Sequence, residues 1–99
     1  MLAPDVLIFE SGEVERSRAE YASHHLAADI EFTKAVPSTV TRRAGKVAGD
    51  MAWMASEGRT TGTYHDRPID QATTETMVLK RVGKAWNIVQ IHWSSAKAR

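Results

Sequence analysis

Residues 73–95 read TTETMVLKRVGKAWNIVQIHWSS, two β-branched and aromatic runs joined around Gly83-Lys84. Runs of this kind on either side of turn residues predict a terminal β-hairpin, Thr73–Val82 against Trp86–Ser95. Register then decides which side chains share a face, because a slip of one residue inverts them all. An even loop would group Glu75, Met77, Leu79 and Arg81 with Trp86, Ile88, Gln90, His92 and Ser94, leaving both faces mixed and Glu75 opposite His92. An odd loop, with Gly83 left-handed as at a bulge, sorts the residues better. Met77 and Leu79 then join Val89, Ile91 and Trp93, while Thr74, Thr76 and Lys80 join Gln90, His92 and Ser94. Burying each large apolar side chain contributes about 1.5–3 kcal/mol, so the odd register is expected. It dissolves the Glu75–His92 pair and sets Glu75 at the edge of the apolar face, near Trp93 or Ile91. A carboxylate buried there would titrate high; at the rim it would point to water.

Upstream, Met51–Tyr64 reads as a long strand whose Gly58 and Gly62 mark bulges or bends, as a strongly curved sheet requires. Ala44-Gly45, Gly49-Asp50 and His65-Asp66-Arg67-Pro68 are turn signals. Val6-Leu7-Ile8-Phe9, closed by Ser11-Gly12, fits a short buried strand. Ser17-Arg18-Ala19-Glu20 fits a capping box, which starts a helix running to about Leu26. Its inward stripe is expected at Arg18, Tyr21, Ala22, His25 and Leu26. Asp29–Thr41 alternates imperfectly around Pro37 and reads as an edge strand or a bulge. The fold class is therefore α+β, a strongly curved antiparallel sheet wrapped around one or two helices.

The 99 residues suffice for a single domain, 1–99, with 42% apolar and 25% charged residues, an ordinary globular balance. A core this small would gain from self-association. Net charge is +1, and the basic runs Arg42-Arg43 and Lys80-Arg81 flank turns rather than forming a stripe with exposed aromatics, which argues against nucleic acid. The absence of cysteine excludes disulfides and thiolate chemistry. No run approaches the roughly 20 apolar residues of a membrane span, and the N-terminus lacks a signal-peptide pattern, so a cytoplasmic protein that does not enter membranes is the default expectation.

Several stretches resemble the SnoaL-like branch of the nuclear transport factor 2-like superfamily. They are Ala3-Pro4-Asp5-Val6, His24-His25-Leu26, Gly49-Asp50-Met51-Ala52 and above all Trp86-x-Ile88-Val89-x-x-His92-x-Ser94. The resemblance implies a cystatin-like cone whose bent sheet wraps helices around a deep, mostly apolar pocket. Its members range from cyclases, isomerases and dehydratases to carriers and a kinase hub domain, so the fold alone implies no function. The family's long N-terminal helix has no counterpart here, which leaves the closure of the cone to a partner or to chain outside this sequence.

The candidate ligand-binding residues are Tyr21, His25, Glu75, Met77, Ile91 and Trp93. Tyr21 and His25, four apart on one helix face, either reach into the cone or simply satisfy a helix–sheet contact. His24 is expected in solvent near the helix C-terminus. His24, His25, His65 and His92 lie on different elements without zinc-ligand spacing, so neither metal nor cofactor is expected. His92 faces the outer sheet surface, in this superfamily a common dimer interface. Glu57 and Glu75 sit inside strands, where a carboxylate is exposed, paired or functional. Trp53 and Trp86 read as core and rim packing, and Trp93 as the tryptophan best placed to touch a ligand. The reading is a homodimeric small-molecule-binding domain with an apolar pocket for an apolar or carbonyl-containing ligand. The alternative is an isomerase- or cyclase-like enzyme with Glu75 or Glu57 as general base and Tyr21 or His25 polarising a carbonyl; no catalytic residue is assigned.

Overall fold

Each of the four hairpins closes through two residues, and each has at least one of them at positive φ. These are Ser11-Gly12 (φ 50 and 86), Gly49-Asp50 (Gly49 at 63), His65-Asp66 (49 and 63) and Gly83-Lys84 (Gly83 at 63). Such loops match the right-handed twist of the strands they join. They connect β1 (Leu2–Glu10) to β2 (Glu13–Glu15), and β3 (Ser38–Ala48) to β4 (Met51–Tyr64), β5 (Arg67–Val82) and β6 (Ala85–Lys97) in succession. Between the two groups lie α1 (Arg18–His24) and α2 (Leu26–Ala35). The computed structural model describes residues 1–98. Its single six-stranded sheet has the order β2-β1-β6-β5-β4-β3, antiparallel throughout except where β1 runs parallel to β6.

The terminal hairpin has the expected pairing by a different route. Glu75 pairs with Trp93, Thr76 with His92 and Met77 with Ile91, as the odd register requires. The loop itself is even, since Val82 pairs with Ala85, and the parity changes at a bulge that leaves Val89 unpaired. Leu79 therefore faces Ile88, not Val89, and Ile88 is the residue that packs on the core. A bulge absorbs the extra residue inside the strand while the tight two-residue turn is kept.

Three further expectations are corrected. Ala44-Gly45 is no turn: Gly45 lies within β3, where a Cβ would come within 2.8 Å of the Trp53 carbonyl oxygen. Residues 26–35 are helical rather than extended, and Pro37, without an N–H, follows as the helix gives way to β3. The inward stripe does not run the length of the first helix. Tyr21 is buried and His25 half-buried, but Arg18, Ala22 and Leu26 are exposed. The helix also breaks at His25 (φ −126, ψ −23), where α1 ends after seven residues and α2 begins, so Leu26 does not continue the face of Tyr21.

The capping signal holds at Ser17, while Glu20 reaches the N–H of Arg16 in place of that of Ser17. Ser17 Oγ accepts from the Glu20 backbone N–H at 3.0 Å, and Glu20 Oε1 accepts from the Arg16 N–H at 3.3 Å. The core gathers Val6, Ile8, Tyr21 and Ile91, with Leu2, Met77, Ile88 and Trp93 packed against it. The helices thus lie over one face of the sheet, from Tyr21 against Trp93 at one end to Phe32 against Tyr64 at the other.

Candidate functional site

Paired residues of neighbouring strands point the same way, so the register defines rows across the helix-covered face. One row is apolar: Ile8, Ile91, Met77, Met54 and Gly45. The next carries chemistry: Glu10, Trp93, Glu75, Ser56 and Arg43, one residue from each of five strands. Beyond it lie Ser95, Thr73, Gly58 and Val40, then Lys97, Gln71, Thr60 and Ser38. Above these rows, Tyr21 from α1 and Asp29 and Phe32 from α2 complete a cleft of about 420 Å³.

The polar contacts within it are specific. Trp93 Nε1 donates to Glu75 Oε2 at 2.7 Å. Tyr21 Oη donates to Asp29 Oδ2 at 2.5 Å. Arg43 Nε donates to Ser56 Oγ at 3.1 Å, and Ser38 and Thr60 share a hydroxyl–hydroxyl bond of 2.7 Å. Burial, and then the bond to Asp29, hold the Tyr21 phenol well above its ordinary range. Burial, and then the nearby Asp29 charge, raise the Glu10 carboxyl, against a smaller opposing effect of His25. The cleft is therefore mixed in polarity, because Met77 and Ile91 in the row beside it are used in core packing.

Of the six candidate residues, Tyr21, Glu75 and Trp93 line this cleft. Met77 and Ile91 sit in the adjoining core cluster. His25 lies beyond Tyr21 in a small crevice, its Nε2 2.7 Å from Glu15 Oε1 and 3.8 Å from Glu13 Oε2. Glu57 belongs to the opposite face, paired with Arg42 and Thr74, and is exposed. His92 lies on that face too, with its ring 6.1 Å from Phe9. Trp53, expected in the core or rim, is 45% exposed there.

Sequence reasoning missed Glu10, Asp29 and Arg43. Glu10 was within reach: Val6, Ile8 and Glu10 alternate along one strand, so the carboxylate shares the helix-covered face, at the exposed end of that strand. Asp29 was hidden by the strand assignment, and Arg43 by the false turn at Ala44-Gly45. Outside the cleft, Glu15, Glu20 and His24 bring one potential ligand atom each within 4.8 Å of one another. Glu15 is already flanked by His24 and His25, and Glu20 completes the helix cap, so these groups serve folding.

A family model described as a SnoaL-like domain matches residues 1–98. No curated protein matches the chain. Among solved structures, a candidate ketosteroid isomerase from Shewanella frigidimarina is 39% identical, with a TM-score of 0.90 over 94% of this chain and 75% of that one. An uncharacterised protein with a cystatin-like fold from Caulobacter vibrioides is 15% identical, with a TM-score of 0.80 over 98% of this chain and 72% of that one. The CaMKII hub of S. rosetta is 21% identical, with a TM-score of 0.76 over 97% of this chain and 77% of that one. The last two similarities concern the fold alone.

Proposed function

The chain belongs to the SnoaL-like domain family, and from that premise we propose that it acts as one domain that binds a small molecule in the cleft between sheet and helices. The row Glu10–Trp93–Glu75–Ser56–Arg43, roofed by Tyr21 and Asp29, carries this reading. It combines an aromatic wall with fixed polar groups, the usual composition of a ligand site. The protein works as a homodimer through the outer sheet face, where Leu7, Gln90, Val78, Trp53 and Lys46 form a row. Two large apolar side chains of that row, Leu7 and Trp53, are exposed, and pairing would cover them.

A second reading is favoured by one observation: Glu75 is a half-buried carboxylate lining the cleft, with one oxygen anchored by Trp93. A carboxylate so held can take a proton from carbon next to a carbonyl, and the 39% identical relative bears an isomerase name. One experiment addresses both readings. The 15N-labelled protein is titrated with a β,γ-unsaturated cyclic ketone while its double-bond position is monitored. Shifts concentrated on Tyr21, Glu75 and Trp93 without turnover support binding alone. Turnover that falls at least a hundredfold in a folded Glu75→Gln variant establishes the enzyme instead. Ligand-induced shifts confined to the outer face would overturn both.

A further inference from the structure

We propose that the cleft takes an organic acid with a single carboxylate, held end-on by the two Nη groups of Arg43 with its apolar remainder lying toward Trp93; this rests on reading the cleft as a small-molecule site. Arg43 is the one cationic side chain among the described residues that line the cleft, and it meets no carboxylate among them. Arginines outside the cleft are matched differently. Arg59 donates to both oxygens of Asp70 at 2.8 Å, and Arg81 Nη2 lies 2.8 Å from Asp50 Oδ1. Arg43 donates only its Nε, so both Nη groups lack an acceptor among the described residues.

The guanidinium is also aimed. Its 3.1 Å bond to Ser56 Oγ draws it from edge strand β3 across to β4. Ser56 is only 9% exposed; its oxygen accepts that bond, and its own proton has no acceptor among the described residues. In the next row Thr73 Oγ1 leans over Gly58, 2.9 Å from where a Cβ would stand, and it likewise makes no side-chain hydrogen bond among the described residues. A planar cation without a counter-charge, beside a buried hydroxyl with a free proton, is a donor set that one carboxylate satisfies. The Nη pair supplies two parallel bonds and the hydroxyls add others.

The opposite end of the cleft sets the rest of the ligand. There Trp93 Nε1 and the Tyr21 hydroxyl are bonded to Glu75 and Asp29, and the remaining carboxylate oxygens repel a second anionic group. Trp93 and Phe32, both half-buried, offer ring surface to an apolar group instead. Neighbouring strands lie about 4.8 Å apart, so a guanidinium held at Ser56 stands about one strand from Glu75. A short chain between carboxylate and ring therefore passes Glu75 on its way to Trp93.

The test compares 3-phenylpropanoate with its uncharged isostere 3-phenylpropanamide and with 3-phenylpropan-1-amine, following the Arg43 Nε–H and Trp93 indole N–H resonances of the full chain. The acid should bind at least tenfold tighter than the amide, move both resonances, and weaken several-fold as salt is raised. Arg43→Gln replaces an exposed side chain outside the core and should remove that advantage, acid and amide then binding alike. Arg43→Lys, which keeps the charge without the fork, should retain only part of it. Equal affinity for acid and amide, preference for the amine, or an advantage undiminished in both variants overturns the carboxylate while leaving the cleft as a small-molecule site. If none of the three moves either resonance, and the ketone of the preceding experiment shifts no cleft residue, both readings fall together.

Discussion

Tyr21 ties the helices to the sheet by packing at a tilt against Trp93 and bonding Asp29. Tyr21→Phe keeps the ring and removes the hydroxyl, so it should cost about 1.5–3 kcal/mol at neutral pH, the net value of a hydrogen bond to a charged partner. The phenol titrates higher in the folded chain than its ordinary value of about 10. A raised value means that the stability contributed is whole below about pH 10 and is lost as pH climbs toward the folded-state value. Urea denaturation of wild type and variant should therefore show a gap that is constant from pH 7 to 9 and narrows above 10; a gap unchanged at high pH would refute this account. Tyr21 and Glu75 were legible at this scale. Alternation and register put Glu75 at the edge of the apolar face, near Trp93 or Ile91, and the structure chooses Trp93; helical spacing turned Tyr21 inward. The partner of Tyr21 was not legible, because Asp29 meets it only after the chain turns at His25.

At the level of elements, the short α1 depends on its cap. Ser17 Oγ satisfies an N–H that would otherwise face outward unpaired, and seven residues supply few other stabilising bonds. Ser17→Ala should lower stability by about 1 kcal/mol, while Ser17→Asp should restore most of it. Thermal denaturation followed by far-UV circular dichroism measures both; an Ala variant as stable as wild type would mean that packing of Tyr21 alone holds the helix. Why the cap was readable and α2 was not follows from burial. A capping box is a local code, complete within four residues. Helix α2 has no buried residue, and Ile30 is 46% exposed, so no apolar stripe with a 3.6-residue period was present to read. Ile30 and Phe32, two apart, imitate strand alternation instead.

For the whole molecule, the sheet carries two faces, one covered by the helices and one open. The inner face holds the cleft. On the outer face Trp53 of β4 stands between Val78 and Lys46 in the row that continues through Gln90 to Leu7, an exposed aromatic one strand in from the sheet edge. Trp53→Glu should convert a dimer to a monomer without unfolding it, because the side chain contributes little to the core. Light scattering coupled to size exclusion decides it: wild type should elute at twice the mass of the chain, the variant at its single mass. A monomeric wild type would remove the pairing from the proposed function and leave the cleft untouched.

What the sequence by itself determined here is what short-range physics can encode. Alternation in residues 73–95 predicts the hairpin and its odd pairing, turn pairs such as Gly83-Lys84 and His65-Asp66 mark where strands reverse, and Ser17 with Glu20 starts the helix. Tertiary structure alone decided how the odd pairing is achieved, since a bulge at Val89 and a loop of odd length give the same partners from Val78–Gln90 outward and differ only between there and the turn, where Ile88 and Val89 are both apolar. It alone brought Glu10, Asp29 and Arg43 to the same cleft as Glu75 and Trp93, because they come from β1, α2 and β3, and their proximity depends on strand order rather than on spacing along the chain. The terminal hairpin was encoded locally; the cleft built on it was assembled by the fold.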